Sequence, residues 1–140
     1  MRPIEKSDAA RLAEIHKLSF EDFWTENTFA KMLAHENYFG FIDGDGHGFV
    51  LCSKVCDEVE IITFCVSPMA RGQKIGQKLL KEVQKFAEMH KIAKIFLEVD
   101  ENNTIARHLY LSLEYEQISV RKNYYKEKNA IVMLFELTKN

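Results

Sequence analysis

The 140-residue chain reads as a single mixed α/β sheet domain, and three observations carry that reading. Apolar strand-like runs alternate with amphipathic helical patterns through the second half. The turn-rich "DGDGHG" joins two further apolar runs in the first half. A long helical pattern also connects "ITFCV" to "IFLEV", which calls for a parallel, right-handed crossover. The length suits one domain over 1–140 with a sizeable core.

The elements follow in order. Residues 2–4 form a short first strand. Ser7 and Asp8 then offer caps for a helix to about Ser19, whose inner face runs through Ala9, Leu12, Ile15 and His16 or Ser19. After the loop "EDFW", Thr25 caps a second helix in which Phe29, Met32 and Leu33 repeat at helical spacing. "YFGFI", "GFVLCSKV" and "EVEIITFCV" are strands, the last ending at Ser67-Pro68. Ile75, Leu79, Val83, Phe86, Ala87 and His90 keep a helical period over about four turns. "AKIFLEV" is a strand, "NTIARHLYLSL" a helix, and "YEQISVRKNYY" and "AIVMLFEL" close the sheet around the short polar "KEKN".

Composition narrows the function. The formal charge of −2 and the pI near 6.2 argue against a general nucleic-acid binder, although a local acidic patch would accept a basic protein. No apolar run is long enough for a membrane span, and "MRPIEKSDAARL" lacks a signal-peptide core, so the cytoplasm is the expected compartment. Cys52, Cys56 and Cys65 fall in apparent strands and are expected to be reduced, buried thiols. The histidines His16, His35, His47, His90 and His108 show no metal spacing, so no metal is expected. An acyl-enzyme through Cys65 lacks any histidine that can be placed beside it.

Two local patterns carry chemistry. In "VSPMARGQKIGQKLL" a strand ends, a turn with Arg71, Gly72 and Gly76 follows, and a helix begins. Successive backbone N–H groups backed by a helix dipole make an anion cradle, although any βα turn can hold glycine for conformational reasons. The pattern is neither a Walker P-loop nor GxGxxG. "LEVDENNTIARHLY" places a carboxylate, Glu98, on a strand and a phenol, Tyr110, on the next helix. Alone, each has a plainer reading as a solvated strand residue or a core tyrosine with a wet hydroxyl.

"RGQKIGQKLL", "LEVDENNTIARHLY" and "VRKNYY", in that order and spacing, resemble the GNAT superfamily of N-acetyltransferases, and within it the RimI-like ribosomal-protein-alanine branch. The resemblance spans nearly the whole chain. It implies a GNAT fold: a mostly antiparallel mixed sheet with a central splayed parallel strand pair, flanked by helices. Acetyl-CoA is the implied cosubstrate. Its pantetheine arm would pair with the backbone at Phe64, Cys65 and Val66, and its pyrophosphate would rest on Arg71, Gly72, Gln73, Lys74, Ile75, Gly76 and Gln77. Asn103 would contact it near the thiol. Glu98 is implied as general base and Tyr110 as general acid. Trp24 in "DFWT" and Tyr124 and Tyr125 in "RKNYY" would line the acceptor mouth, with one of the two tyrosines facing it. Trp24 has an equally good reading as a staple onto the second helix.

The chemistry agrees. Acetyl transfer needs a neutral amine; an α-amine titrates near about 8, within reach of a carboxylate base, and a phenol can protonate the leaving thiolate.

Three positions depart from the family pattern. Lys74 stands where a glycine is expected and, at positive φ, would cost about 1–2 kcal/mol. Glu114 stands where a helix-ending glycine is expected. Asp100 replaces a frequent arginine. The implied reaction is direct transfer to a protein N-terminal α-amine, an alanine on a small-subunit ribosomal protein, by a monomer or weak dimer. The rivals are a GNAT enzyme acting on lysine, polyamine or another small amine, and a non-catalytic acetyl-CoA-binding module.

Overall fold

The computed structural model describes residues 1–72, 74–125 and 128–137; at 124 and 125 it describes backbone alone. Among these residues a seven-stranded sheet runs in the order β1-β2-β3-β4-β5-β7-β6. The strands are β1 (Arg2–Pro3), β2 (Tyr38–Ile42), β3 (Gly48–Val55), β4 (Glu58–Val66), β5 (Lys94–Asp100), β6 (Glu116–Tyr125) and β7 (Lys128–Glu136). Four α-helices accompany them: α1 (Ala9–Ser19), α2 (Glu26–Leu33), α3 (Ile75–Met89) and α4 (Thr104–Ser112). Every strand pairing is antiparallel except β4 with β5, the pair that α3 connects. No helix among the described residues is long and apolar enough to cross a membrane.

The sheet has an apolar layer on each face. On one, Ile75, Leu79, Leu80, Val83 and Ala87 of α3 pack on Val59, Ile61, Ile95, Leu97 and Val99. On the other, Leu12 and Ile15 of α1 and Phe29 of α2 pack on Phe49, Leu51 and Cys65. Fully burying one such side chain is worth about 1.5–3 kcal/mol, so these stripes fix the orientation of both helix layers. The inner stripe of α3 departs from its sequence reading near the C-terminus. Leu80 is buried, whereas His90 is exposed and Phe86 only half-buried. There Phe86 stacks between Phe39 and His90, each ring centroid 4.0 Å away, so an aromatic rim replaces the core stripe.

Two further expectations are corrected. Asp8 does not cap α1 with its side chain. Its carboxylate instead takes two hydrogen bonds from Arg2, at 2.7 and 2.9 Å, and one from the Glu5 N–H at 2.7 Å, clipping β1 to the first turn. Cys56 is not a strand residue. It is exposed at φ +56° in the β3–β4 turn, while Cys52 and Cys65 are buried thiols. Thr25 does cap α2, accepting from the Thr28 N–H.

One irregularity matters for function. The β3–β4 ladder pairs Cys52 with Ile61 and Leu51 with Thr63, so Ile62 has no partner opposite it. This β-bulge reverses which face the later residues of β4 present. Val59 and Ile61 lie under α3, but Cys65 lies under α1.

Candidate active site

The bulge coincides with a break in the sheet. β4 and β5 pair only at Glu58–Lys94, Val59–Ile95 and Glu60–Phe96. Beyond that point β4 continues along β3 to Val66 and β5 along β7 to Asp100, so the two diverge. A cavity of about 850 Å3 fills the gap. Its walls take Phe64, Cys65 and Val66 from β4, Leu97, Glu98 and Val99 from β5, Asn103 and Tyr110 from the α4 side, and His16 and Trp24 from the α1–α2 side. Polar edge groups of β4 facing this gap have no ladder to pair with. An extended polar ligand can therefore dock there as a strand does.

At one mouth lies the glycine turn. Pro68–Ala70 form a short 3-10 turn, and the Arg71 Nε donates to the Val66 carbonyl at 3.2 Å. Gly72 adopts φ +90° with open space where a Cβ would stand. Lys74 caps α3 geometrically at φ +60°, without a side-chain bond to the helix. The first N–H groups of α3 are thus left for an outside acceptor. A Cβ on Gly76 would stand 2.9 Å from the Phe64 ring, so glycine lets the helix approach β4 closely. Phe64, Cys65, Val66, Arg71, Gly72, Ile75, Gly76 and Asn103 all border the cavity; Lys74 is exposed beside it. Gln77 begins the helix without bordering the cavity, and Gln73 lies outside the described residues.

Glu98 sits between Leu97 and Val99, which are buried on the α3 side, so its own side chain emerges on the opposite face. The Arg121 Nη1 donates to both carboxylate oxygens, at 3.2 and 3.0 Å. Both partners are substantially exposed, so the pair is worth at most about 1 kcal/mol and is readily exchanged. Glu60 shares this face, and burial, followed by the charge of Glu98, holds its carboxyl above the ordinary carboxylate range. The Glu98–Arg121 contact spans 23 positions and exists because β7 lies between β5 and β6, so the Arg121 side chain reaches across β7 to Glu98. No sequence spacing announces it.

Tyr110 is 5% exposed. Burial, with a smaller contribution from Cys52, drives its phenol well above its usual titration range, so it keeps its proton. Its backbone is fixed by the end of α4. The Tyr115 N–H donates to the Tyr110 carbonyl at 3.0 Å and the Glu114 N–H to the Leu111 carbonyl at 3.0 Å. Glu114 itself stands at φ +72°. This is a Schellman ending with glutamate in the position glycine usually takes, and the Tyr110 and Tyr115 rings meet at 5.7 Å as its apolar contact. At the other end, the Asn103 Oδ1 accepts from the Ala106 N–H at 3.1 Å and caps α4.

Trp24 is half-buried against the end of α1. Its N–H backbone donates to the His16 Nδ1 at 2.9 Å, and its ring stacks on the His16 imidazole at 4.9 Å and leans on Phe29 at 5.6 Å. It packs against Phe29 of α2 and also borders the cavity. His16, Phe20 and Asp22 line the same wall and were not among the sequence candidates. Helical periodicity marked His16 as inward-facing but carried no sign that a cavity lies beyond it. The Tyr124 and Tyr125 backbones belong to β6; their side chains lie outside the described residues.

Cys65 borders the cavity, yet burial pushes its thiol up to about 12, which suppresses the nucleophilic thiolate. Asp43, Asp45 and His47 bring donor atoms within 4.8 Å of one another in the β2–β3 turn, a proximity that histidine spacing alone did not reveal. None of the three borders the cavity.

Comparison with known proteins matches this arrangement. The model of the acetyltransferase (GNAT) family matches residues 9–115. The [ribosomal protein bS18]-alanine N-acetyltransferase of Haemophilus ducreyi is 34% identical over 94 residues, which span 64% of this chain and 65% of that relative. The N-alpha-acetyltransferase RimI of Mycobacterium tuberculosis is 31% identical, with 91% of this chain and 84% of the relative covered. The crystal structure of the Escherichia coli ribosomal-protein-alanine N-acetyltransferase superposes with a TM-score of 0.90 at 27% identity, covering 99% of this chain and 94% of that one. Arabidopsis thaliana NAA60 in complex with acetyl-CoA shares the fold at 20% identity, with a TM-score of 0.83 over 97% of each chain. With its splayed strand pair, its glycine turn and the family match over most of its length, the chain belongs to the acetyltransferase (GNAT) family and is an N-acetyltransferase.

Proposed function

We propose that the protein transfers acetyl from acetyl-CoA to the N-terminal α-amine of a protein, an alanine-first small-subunit ribosomal protein. The observation that carries this reading is the gap between β4 and β5, where an acidic and a phenolic side chain border one cavity. The donor suits the edge of β4 and the start of α3, which has no side-chain cap: pantetheine amides pair with the backbone of Phe64–Val66, and the pyrophosphate meets the turn from Arg71 to Gln77. The names of the relatives at 31 and 34% identity support the acceptor class. So read, the reaction belongs to the cytoplasm, where ribosomal proteins are made.

In this mechanism the acceptor ammonium takes the place of Arg121 at Glu98. Glu98 receives one proton, directly or through a water, and frees the nitrogen lone pair. The nitrogen attacks the thioester carbonyl, and collapse of the tetrahedral intermediate breaks the C–S bond. Tyr110, kept protonated by its burial, supplies the proton to the departing sulfur, and the nitrogen's second proton, shed as the amide forms, passes through water to restore the phenol. Trp24 borders the peptide beyond its first residue.

The test uses mass spectrometry with acetyl-CoA and two alanine-first peptides that share an internal lysine, one of them blocked at its α-amine. The expected product is acetylation of the free terminus alone. Glu98→Gln and Tyr110→Phe should each lower kcat by about 10²-fold or more with the acetyl-CoA KM nearly unchanged. Acetyl on the lysine of the blocked peptide would overturn the α-amine reading, and full activity in both variants would overturn the assigned roles.

A further inference from the structure

His16 is a buried polar group of the cavity wall that the mechanism above leaves idle; Thr63 is another, but only His16 offers a ring N–H. It is 3% exposed, near the end of α1. Phe20 at 4.5 Å, Trp24 at 4.9 Å and Phe29 at 5.5 Å enclose its ring. The Trp24 N–H donates to Nδ1, so Nδ1 is an acceptor and the ring proton resides on Nε2. Burial lowers the imidazole to about 4, so the ring stays neutral. Among the described residues Nε2 has no hydrogen-bond partner, although the residue borders the cavity.

The two faces of the sheet say what His16 can meet. Ile75 and Tyr110 approach the gap from the α3–α4 face, and His16 approaches from the α1–α2 face, where Glu98 also emerges. A donor molecule seated on the glycine turn and β4 leaves this second face to the acceptor. An acceptor arrives as a cation, and a neutral donor beside it avoids the repulsion that an imidazolium would bring. What Nε2–H needs is a carbonyl close to the reacting amine. A peptide N-terminus has one two bonds from its nitrogen, on the first residue. A lysine ε-amine has none within its four-carbon stem, and a polyamine has none at all.

We infer that His16 is a positioning residue of the acceptor site: its Nε2–H holds the carbonyl of the acceptor's first residue and thereby selects α-amines over side-chain amines. The inference rests on the proposed function and deepens it. Trp24 holds the imidazole in the tautomer required, so the loop "EDFW" acts on selectivity through its backbone.

The test compares His16→Asn, whose amide reaches only as far as Nδ1, with His16→Gln, whose amide reaches the position of Nε2. The Asn variant should raise the peptide KM about tenfold, the worth of one neutral hydrogen bond, with kcat and the acetyl-CoA KM within about threefold of the parent. The Gln variant should restore the peptide KM. A second arm begins with the unaltered enzyme, whose result does not depend on how any variant folds. The unaltered enzyme should bind a peptide whose first amide is replaced by a trans-alkene about tenfold more weakly, while His16→Asn should treat both peptides alike. Equal KM values for the two peptides in the unaltered enzyme, or no change in His16→Asn, would overturn the inference alone. Lysine acetylation of the blocked peptide by the unaltered enzyme would overturn the proposed function, and this inference with it.

Discussion

At Glu114 an ordinary residue does a glycine's work. Its φ of +72° completes the Schellman ending of α4, whose hydrogen bond from the Tyr115 N–H lands on the carbonyl of Tyr110. A side chain in that region costs about 1–2 kcal/mol, part of which glycine returns as extra freedom in the unfolded chain. Glu114→Gly should therefore raise stability by about 1 kcal/mol, read as a Tm higher by roughly 3 °C in a thermal scan. The departures from the family pattern at Lys74 and Glu114 were visible in the sequence, and both residues do adopt positive φ. His16 illustrates what was not visible. Its spacing with Leu12 and Ile15 is that of any core-facing residue, and only the assembled wall reveals that its neighbour on one side is a cavity.

Elements were legible because each has a period and a boundary signal. Strand runs alternate, α3 carries an apolar stripe, and Thr25 and Asn103 stand at helix starts. The bulge at Ile62 was not legible, because "EIITFC" is apolar at nearly every position and a reversal of faces leaves no trace in such a run. The Glu98–Arg121 contact escaped for a related reason, since it depends on the spatial order β5-β7-β6. Asn103 belongs to both domains of explanation. Its Oδ1 caps α4 while the residue borders the cavity, so one substitution should have two separable effects. Asn103→Ala should cost about 1 kcal/mol of stability, and Asn103→Asp, which keeps the cap, should recover most of it in urea unfolding. A loss of activity common to both variants would then report the missing amide group at the cavity, and recovery in Asp would report the cap alone.

The molecule as a whole should be acid-sensitive in two stages. His16 titrates near 6.5 when unfolded and at about 4 when folded, so between those values the unfolded chain takes up a proton that the folded chain refuses. Stability from this source is complete above the upper value and falls, by on the order of 2 kcal/mol, as pH drops through the window. Asp8 follows at lower pH. The hydrogen bond from Arg2 holds its carboxyl below the usual range, so its contribution is lost as pH falls below that of an ordinary carboxylate. Urea midpoints at pH 7 and pH 4.5 should differ clearly in the parent protein, and the gap should narrow in His16→Gln. A gap of equal size in that variant would assign the first stage to other groups.

The short β4–β5 ladder also bears on how such a protein can change over time. On the proposed reading the donor is held largely by peptide groups of β4 and by the start of α3, groups that every residue type supplies alike. On the same reading the acceptor is met by side chains: Glu98, His16 and Trp24. Substitutions can therefore accumulate on the acceptor side and redirect the enzyme to new amines while the grip on the donor persists. A sheet left open at one seam separates what must be inherited from what is free to drift.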